Sequence, residues 1–359
     1  GQDAKAFICG CKGFELDAQE RAFMGEHRPW GLILFKRNVE SPEQVARLTN
    51  EIRDALGRDA PILVDQEGGR VARLKEPFTK WPPMATLGRA GAEGDRLVER
   101  FAQALAAELL AVGITLDYAP VLDIHTNPKN PVIGDRAFAE TADQVARLGR
   151  TMVRTLQSAG LAACGKHFPG HGDTSTDSHL ELPLVEHDPE RLRAIEFAPF
   201  RAAIAEQVAF MMTAHVLVPS LDETRPATLS PAVVHAILRD ELGYQGVILS
   251  DDLEMKAVSA KYDVPEAAVE AIAAGCDAVL VCSGNVDLQG RTLEALVRAV
   301  ESGRIPAKRA DDAAVRLRRA KERFLIGDRP GASARIKSLR TVLGREEHQL
   351  VAAEMAAYL

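Results

Sequence analysis

Apolar residues in this chain gather into short runs, and between the runs they recur at helical spacing. The runs cover residues 6–11, 31–35, 62–64, 114–119, 161–164, 208–213, 247–250 and 278–282. Each has the length of a strand. The intervening stretches carry helix-start signals. Ser41-Pro42-Glu43-Gln44 joins a cap, a first-turn proline and a reciprocating glutamine, and Asp188-Pro189-Glu190 is a second such start. The clearest helical patterns run over residues 95–110, 142–158, 189–206 and 307–324. Strand and helix in alternation give a parallel sheet, and a count of eight strands favours a closed (β/α)8 TIM-like barrel over an open doubly wound sheet. The spacing is uneven across residues 67–93. A Gly/Pro break at 327–331 precedes a helix-like end over 346–358. The expected organisation is α/β: one catalytic barrel over residues 1–328, and a C-terminal extension over 329–359 packing on it as an appended helix. There is no internal repeat or low-complexity segment.

Composition supports one large soluble unit. The chain has 359 residues, 46% hydrophobic and 26% charged, which is ordinary for a globular protein and not for a disordered one. Barrels of this kind run to such lengths as single domains. A net charge of −7 argues against general attraction to nucleic acid or an anionic membrane. A small or neutral ligand is expected instead. The cysteines, Cys9, Cys11, Cys164, Cys276 and Cys282, are odd in number, and four lie in or beside apolar runs. They read as buried hydrophobes, not as disulfides or a zinc ribbon. No run reaches the roughly 18 apolar residues of a membrane span, and no basic segment followed by an apolar one opens the chain. A reducing, cytoplasmic location is expected, with the protein a monomer or weak homodimer.

In a parallel barrel the active site lies at the carboxyl ends of the strands, so polar residues directly after apolar runs carry weight. Five junctions qualify: Asp65-Gln66-Glu67-Gly68-Gly69-Arg70, Gly134-Asp135-Arg136, Lys166-His167, Thr213-Ala214-His215 and Asp251-Asp252. Each has a plain structural reading. Asp65 could belong to a tight turn, Arg136 to a rim salt bridge, and His215 to the core. Asp251 and Asp252 could end a strand or cap a helix, and on extended backbone at most one of them faces the mouth. The stretch KHFPGHGDTSTDSH at residues 166–179 resists such readings, since no core needs so many ionisable groups in one glycine- and proline-containing loop. Two chemistries compete for it. His167 and His171, four apart, with Asp173, Asp177 and His179 could hold a metal. Pro169, Gly170 and Gly172, however, forbid the helix that presents such a pair best. The other is acid–base work, with Asp177 orienting His179 and raising its basicity.

Residues 166–179, the DQEGGR segment, Gly134-Asp135-Arg136 and Ser250-Asp251-Asp252-Leu253, in that set, resemble the glycoside hydrolase family three β-N-acetylglucosaminidases of the single-domain bacterial type that serves peptidoglycan recycling. The resemblance implies a retaining exo-glycosidase that needs no metal or other cofactor. Its substrate is a small carbohydrate, N-acetylglucosamine (GlcNAc) linked to 1,6-anhydro-N-acetylmuramic acid, with or without peptide. Asp251 is implied as the nucleophile and Asp177 with His179 as the acid/base dyad. Asp65, Arg136, Lys166 and His167 are implied as sugar-binding residues. Phosphorolysis stands as a second fate of the glycosyl-enzyme. The alternatives are an exo-β-glycosidase of other specificity and a metal-dependent hydrolase using the histidine-rich loop. His171, Asp173, His215 and Asp252 receive no role.

Overall fold

Strand parity decides what fills the centre of this molecule. In a computed structural model that describes residues 6–174, 182–324 and 336–359, the strands are β1 (Phe7–Cys9), β2 (Gly31–Leu34), β3 (Ile62–Val64), β4 (Leu116–Asp117), β5 (Ala162–Phe168), β6 (Phe210–Thr213), β7 (Val247–Asp252) and β8 (Ala278–Val281). They pair in sequence order, all parallel, and β8 closes on β1. Alternate residues project inward and pack into one cluster: Ile8, Ile33, Leu63, Leu116, Tyr118, Ala162, Cys164, Phe210, Met212, Val247, Leu249, Ala278, Leu280 and Cys282. The residues of opposite parity, such as Phe7, Leu32, Ile62, Met211 and Ile248, join the larger core under the surrounding helices. The expected (β/α)8 barrel is the fold.

The helices follow the signals that announced them. Ser41 caps the helix Pro42–Leu56 by accepting from the Gln44 N–H, and the Gln44 side chain returns the bond to the Ser41 backbone. The long patterns appear as Gly94–Ala111, Ala142–Ser158 and Ala307–Phe324. Residues 189–206 depart from a single α-helix. They form a turn at Pro189–Arg191, a wider π-helical stretch at Leu192–Glu196 and a helix at Ala198–Ala205. Pro199 has no N–H to give to the carbonyl four residues back, and the turn widens there. A second departure concerns β5, which runs on through Lys166 and His167 to Phe168. Those two residues therefore sit on a strand and not on the loop that the apolar run predicted.

The amino-terminal end of the barrel is sealed by the helix Ala307–Phe324. Leu317, Ala320 and Phe324 enter the interior cluster beside Trp30, whose indole N–H donates to the Leu317 carbonyl at 3.3 Å. The same helix is held by charge. Asp277, fully buried at the start of β8, accepts from Arg239 at 2.8 Å, Arg316 at 3.1 Å, Arg309, and the Ile248 N–H at 3.0 Å. At the C-terminal end of the chain, the helix Glu346–Ala356 is pinned through His348, which bonds the buried Glu108 at 2.6 Å; Glu108 also accepts from the Thr79 N–H and hydroxyl. The expected boundary at 328 falls outside the described residues. All five cysteines are free and buried. Among the described residues no helix is long and apolar enough to cross a membrane.

Removing one member of a buried ion cluster leaves the others uncompensated. Asp277→Ala is expected to destabilise the fold by roughly 3 kcal/mol, a value set below the fully buried limit because the arginines are partly solvated. Chemical denaturation of the two proteins measures the difference, and equal midpoints would show that Asp277 does not hold the end of the barrel together.

Candidate active site

The inward rows do not stop at the apolar cluster. On β3 the row through Leu63 continues to Asp65, on β5 the row Ala162-Cys164 continues to Lys166, and on β7 the row Val247-Leu249 continues to Asp251. Period two thus places three ionisable side chains at the carboxyl-end mouth. Lys166 is 2% exposed, and its Nζ lies 3.0 Å from Asp65 Oδ1 and 2.6 Å from Glu67 Oε2. Arg136, on a short turn at Gly134–Arg136, reaches the same glutamate with two parallel bonds, Nε to Oε1 at 2.9 Å and Nη2 to Oε2 at 2.8 Å. Arg73 Nη2 approaches Asp65 Oδ2 at 3.8 Å, and its guanidinium lies over the Phe35 ring. Burial opposes ionisation of Glu67, but the charges of Lys166 and Arg136 outweigh it and bring its carboxyl down to about 2. For Lys166 and Arg136 burial also disfavours the charged form; Glu67 overcomes it in both, pushing each above its ordinary range.

His167 is oriented from the next loop. Its Nδ1 lies 2.7 Å from Asp123 Oδ2, and Asp123 also accepts from the His171 N–H at 2.8 Å. Burial raises the Asp123 carboxyl, yet His167 and His171 hold it below the usual range. An ionised carboxylate only accepts, so His167 Nδ1 carries a proton and donates it to Asp123. His171 is otherwise engaged with Thr174 through Nδ1 at 2.8 Å, and burial lowers its pKa. Asp173 accepts from Thr126 at 2.8 Å and contacts His187. These bonds pin the start of the loop to its neighbours.

Asp251 and Asp252 separate as extended backbone requires. Asp251 faces the mouth, where its charge acts on the interior Tyr118, Cys164 and Cys282 and on His171. Its Oδ1 accepts the Asp252 N–H at 2.8 Å. Asp252 turns away and receives the Glu254 N–H on Oδ1 at 3.1 Å; burial, together with the nearby Asp251 and Glu254 charges, pushes its carboxyl up to about 6. His215 is 4% exposed with both ring nitrogens engaged, as a core histidine would be.

The structure therefore gathers Asp65, Arg136 and Lys166 around one carboxylate, seats His167 on another, and places Asp251 in the same mouth. Asp177 and His179 lie outside the described residues. Three residues of the network were not singled out by sequence. Glu67 shares the parity of Asp65 within DQEGGR, which was the available signal. Asp123 directly follows the apolar pair Val121-Leu122, so the junction rule that found the other groups applies to it equally. Arg73 gave no signal. Arg136 is not a rim ion pair, since Glu67 is buried. Among the described residues no group of three or more His, Cys, Asp or Glu side chains is placed to hold a metal ion.

Comparison with known proteins shows the family. The model of the glycosyl hydrolase family 3 N-terminal domain matches residues 11–320. A β-hexosaminidase of Methylococcus capsulatus is 44% identical over 272 residues, 76% of this chain and 80% of its own. The solved family 3 β-N-acetylglucosaminidase of Paenibacillus sp. superposes with a TM-score of 0.90 at 41% identity, over 99% of this chain and 68% of that one. The structure of NagZ from Neisseria gonorrhoeae with N-trifluoroacetyl-D-glucosamine gives 0.81 at 34% identity, over 98% and 97% of the two chains.

A depressed carboxylate makes a signed statement about pH. The ion cluster around Glu67 contributes stability that is fully present above the unfolded value near 4.5 and is lost as pH falls towards about 2. Glu67→Gln is expected to be less stable than the parent at pH 7 and to lose less as pH falls through that window. Denaturant midpoints at a series of pH values test this; parallel curves for the two proteins would show that Glu67 is not the titrating group.

Proposed function

The chain belongs to glycosyl hydrolase family 3, and from that premise we propose that it is a retaining, exo-acting β-N-acetylglucosaminidase whose substrate is GlcNAc linked to 1,6-anhydro-N-acetylmuramic acid, released during cell-wall recycling. Its relatives support the wider activity, that of a β-N-acetylhexosaminidase. The observation that carries the mechanism is the placement of one carboxylate, Asp251, at the mouth opposite a preassembled set of hydroxyl-binding groups. Asp65, ionised beside Lys166, accepts from sugar hydroxyls. Lys166, Arg136 and His167 offer further polar contacts, and because each is already anchored to Glu67 or Asp123, little ordering is left to occur when sugar binds.

Two steps follow. The Asp251 carboxylate attacks the anomeric carbon while His179 donates its proton to the departing glycosidic oxygen, giving a glycosyl ester on Asp251 and a free aglycone. His179, now neutral and oriented by Asp177, then takes a proton from water, whose oxygen attacks the anomeric carbon and releases GlcNAc with Asp251 restored as carboxylate. Both bonds to the anomeric carbon form from the face opposite the leaving group, so the β configuration is retained. The location proposed for this chemistry is the cytoplasm.

Asp251→Ala is expected to lower kcat by at least about 10⁴-fold while leaving the thermal midpoint near that of the parent, because the side chain stands at the mouth and not in the core. A residual rate within tenfold of the parent would remove Asp251 as nucleophile. For His179→Ala the loss should reach roughly 10²–10⁴ on a disaccharide with a poor leaving group and be much smaller on 4-nitrophenyl N-acetyl-β-glucosaminide, which departs without a proton. Equal losses on both substrates would show that His179 is not the acid. The gonococcal relative has also been solved with a zinc ion. Full activity after exhaustive chelation is therefore expected here, and activity restored only by added metal would favour a metal-dependent hydrolase.

A further inference from the structure

The end of β7 lacks the support that a strand normally has. Its pairing with β6 is regular from Phe210↔Val247 to Thr213↔Ser250 and then ends. On the other side, the register with β8 shifts between Leu249 and Asp252. Asp251 lies in that gap, where neither ladder continues in register. Beyond the gap the strand is tied again to β8, through the pairing Asp252↔Leu280 and the Leu253 N–H on the Leu280 carbonyl at 3.0 Å; within it Asp251 is held by a chain of two bonds. The Asp252 N–H donates to Asp251 Oδ1 at 2.8 Å, and the Asp252 carbonyl accepts from His215 Nε2 at 2.9 Å. Both ends of one peptide residue are thereby fixed, one on the carboxylate and one on the imidazole. We propose that His215 is a positioning residue for the reaction: by clamping the Asp252 backbone it sets the orientation of the Asp251 carboxylate for attack on the anomeric carbon.

Hydrogen counting gives the clamp a direction. The Asp252 carbonyl can only accept, so the ring proton sits on Nε2. Burial lowers the pKa of His215, and its neutral form, with Nδ1 an acceptor, prevails around pH 7. Nδ1 lies 2.9 Å from Thr228 Oγ1, which in turn lies 3.0 Å from Thr213 Oγ1. Thr228 has one hydrogen to give and two acceptors for it, the ring nitrogen and the Ala214 carbonyl at 2.9 Å, while Thr213 supplies Thr228 from behind or donates to the Leu249 carbonyl at 3.3 Å. Thr213, Thr228 and His215 are all buried. Water cannot replace these partners, so the ring plane is held between Thr228 and the Asp252 carbonyl. The role reaches the reacting atoms only through Asp252, so a variant should alter the rate of attack and not the affinity for sugar.

The proposal rests on Asp251 being the nucleophile, and the experiment separates the two claims. A 5-fluoro N-acetylglucosaminyl fluoride, which accumulates the glycosyl-enzyme, is reacted with the parent and with His215→Ala, His215→Gln and His215→Asn, and the labelled residue and labelling rate are read by mass spectrometry. Glutamine places an N–H close to where Nε2 stands; asparagine falls short of the Asp252 carbonyl. The parent is expected to label on Asp251. His215→Ala and His215→Asn should label, and turn over 4-nitrophenyl N-acetyl-β-glucosaminide, roughly 10- to 100-fold more slowly with KM changed less than about threefold, and His215→Gln should recover most of the rate. Should His215→Ala fail to fold, the contrast between Gln and Asn decides. Labelling of the parent elsewhere than Asp251 would overturn both claims. Parent labelling on Asp251 with the variants labelling equally fast, or with Gln no better than Asn, would overturn the role of His215 alone.

Discussion

Taking a carboxylate out of water costs several kcal/mol unless opposite charge replaces the solvent, and Glu67, 2% exposed, stays ionised because Lys166 and Arg136 stand 2.6 to 2.9 Å from its oxygens. The constraint works outward from there. Lys166 comes from β5 and Arg136 from the loop after β4, while Glu67 follows β3, so one carboxylate ties three successive segments at the mouth. Once Glu67 has absorbed much of the positive charge, Lys166 still spans to Asp65, and that residue is held where a hydroxyl can donate to it. Asp123 repeats the device one strand further on, fixing His167. The groups proposed to bind sugar are thus braced by carboxylates that need never touch it. A site assembled before the ligand arrives loses little conformational freedom on binding.

How much of this was legible in the chain follows from which signals are local. The eight strands announced themselves because buried strands are short apolar runs, and Ile62–Val64 was bounded to the residue. The junction rule found Asp65, Lys166 and Asp251 because barrel chemistry gathers at strand ends. It misjudged β5, whose strand runs through Lys166 and His167 with buried polar side chains inside it. Hydropathy registers that as a loop, and only the compensating Glu67 and Asp123, distant in sequence, make it a strand. Glu67 and Asp123 also follow apolar runs, but each serves another residue, and a junction alone does not show which partner it serves. The wider turn at Leu192–Glu196 needed the position of Pro199 within the helix to be weighed, which a periodicity count does not do.

The two ends of the barrel divide their tasks. Asp277 gathers three arginines at the amino-terminal end, where Trp30, Leu317 and Phe324 seal the interior. At the carboxyl end the mouth holds charges that cannot all be paired if they are to meet substrate. Between them the interior is filled with side chains from Ile8 to Cys282, so strain or repulsion at the mouth is borne by a rigid floor. The glycine and proline content of residues 166–172 fits the same division, since the strand ends inside it and the chain must leave the barrel wall at once.

The density of carboxylates at this mouth bears on why a histidine, and not another carboxylate, suits the proposed acid. In the proposed cycle Asp251 attacks as a carboxylate and is therefore negative before the first step. Any proton donor close enough to serve the glycosidic oxygen feels that charge, which favours its protonated form. For an imidazole with an ordinary value near 6.5, the shift is upward, and the ring is charged and ready to donate at neutral pH. When the ester forms, Asp251 loses its charge and the shift disappears. The imidazole returns towards its ordinary value and can take a proton from water. A carboxylic acid in the same field would swing over a range centred lower, and would be protonated for donation only at more acidic pH. The alternation of charge on Asp251 through the proposed cycle thus suits an imidazole to each step in turn.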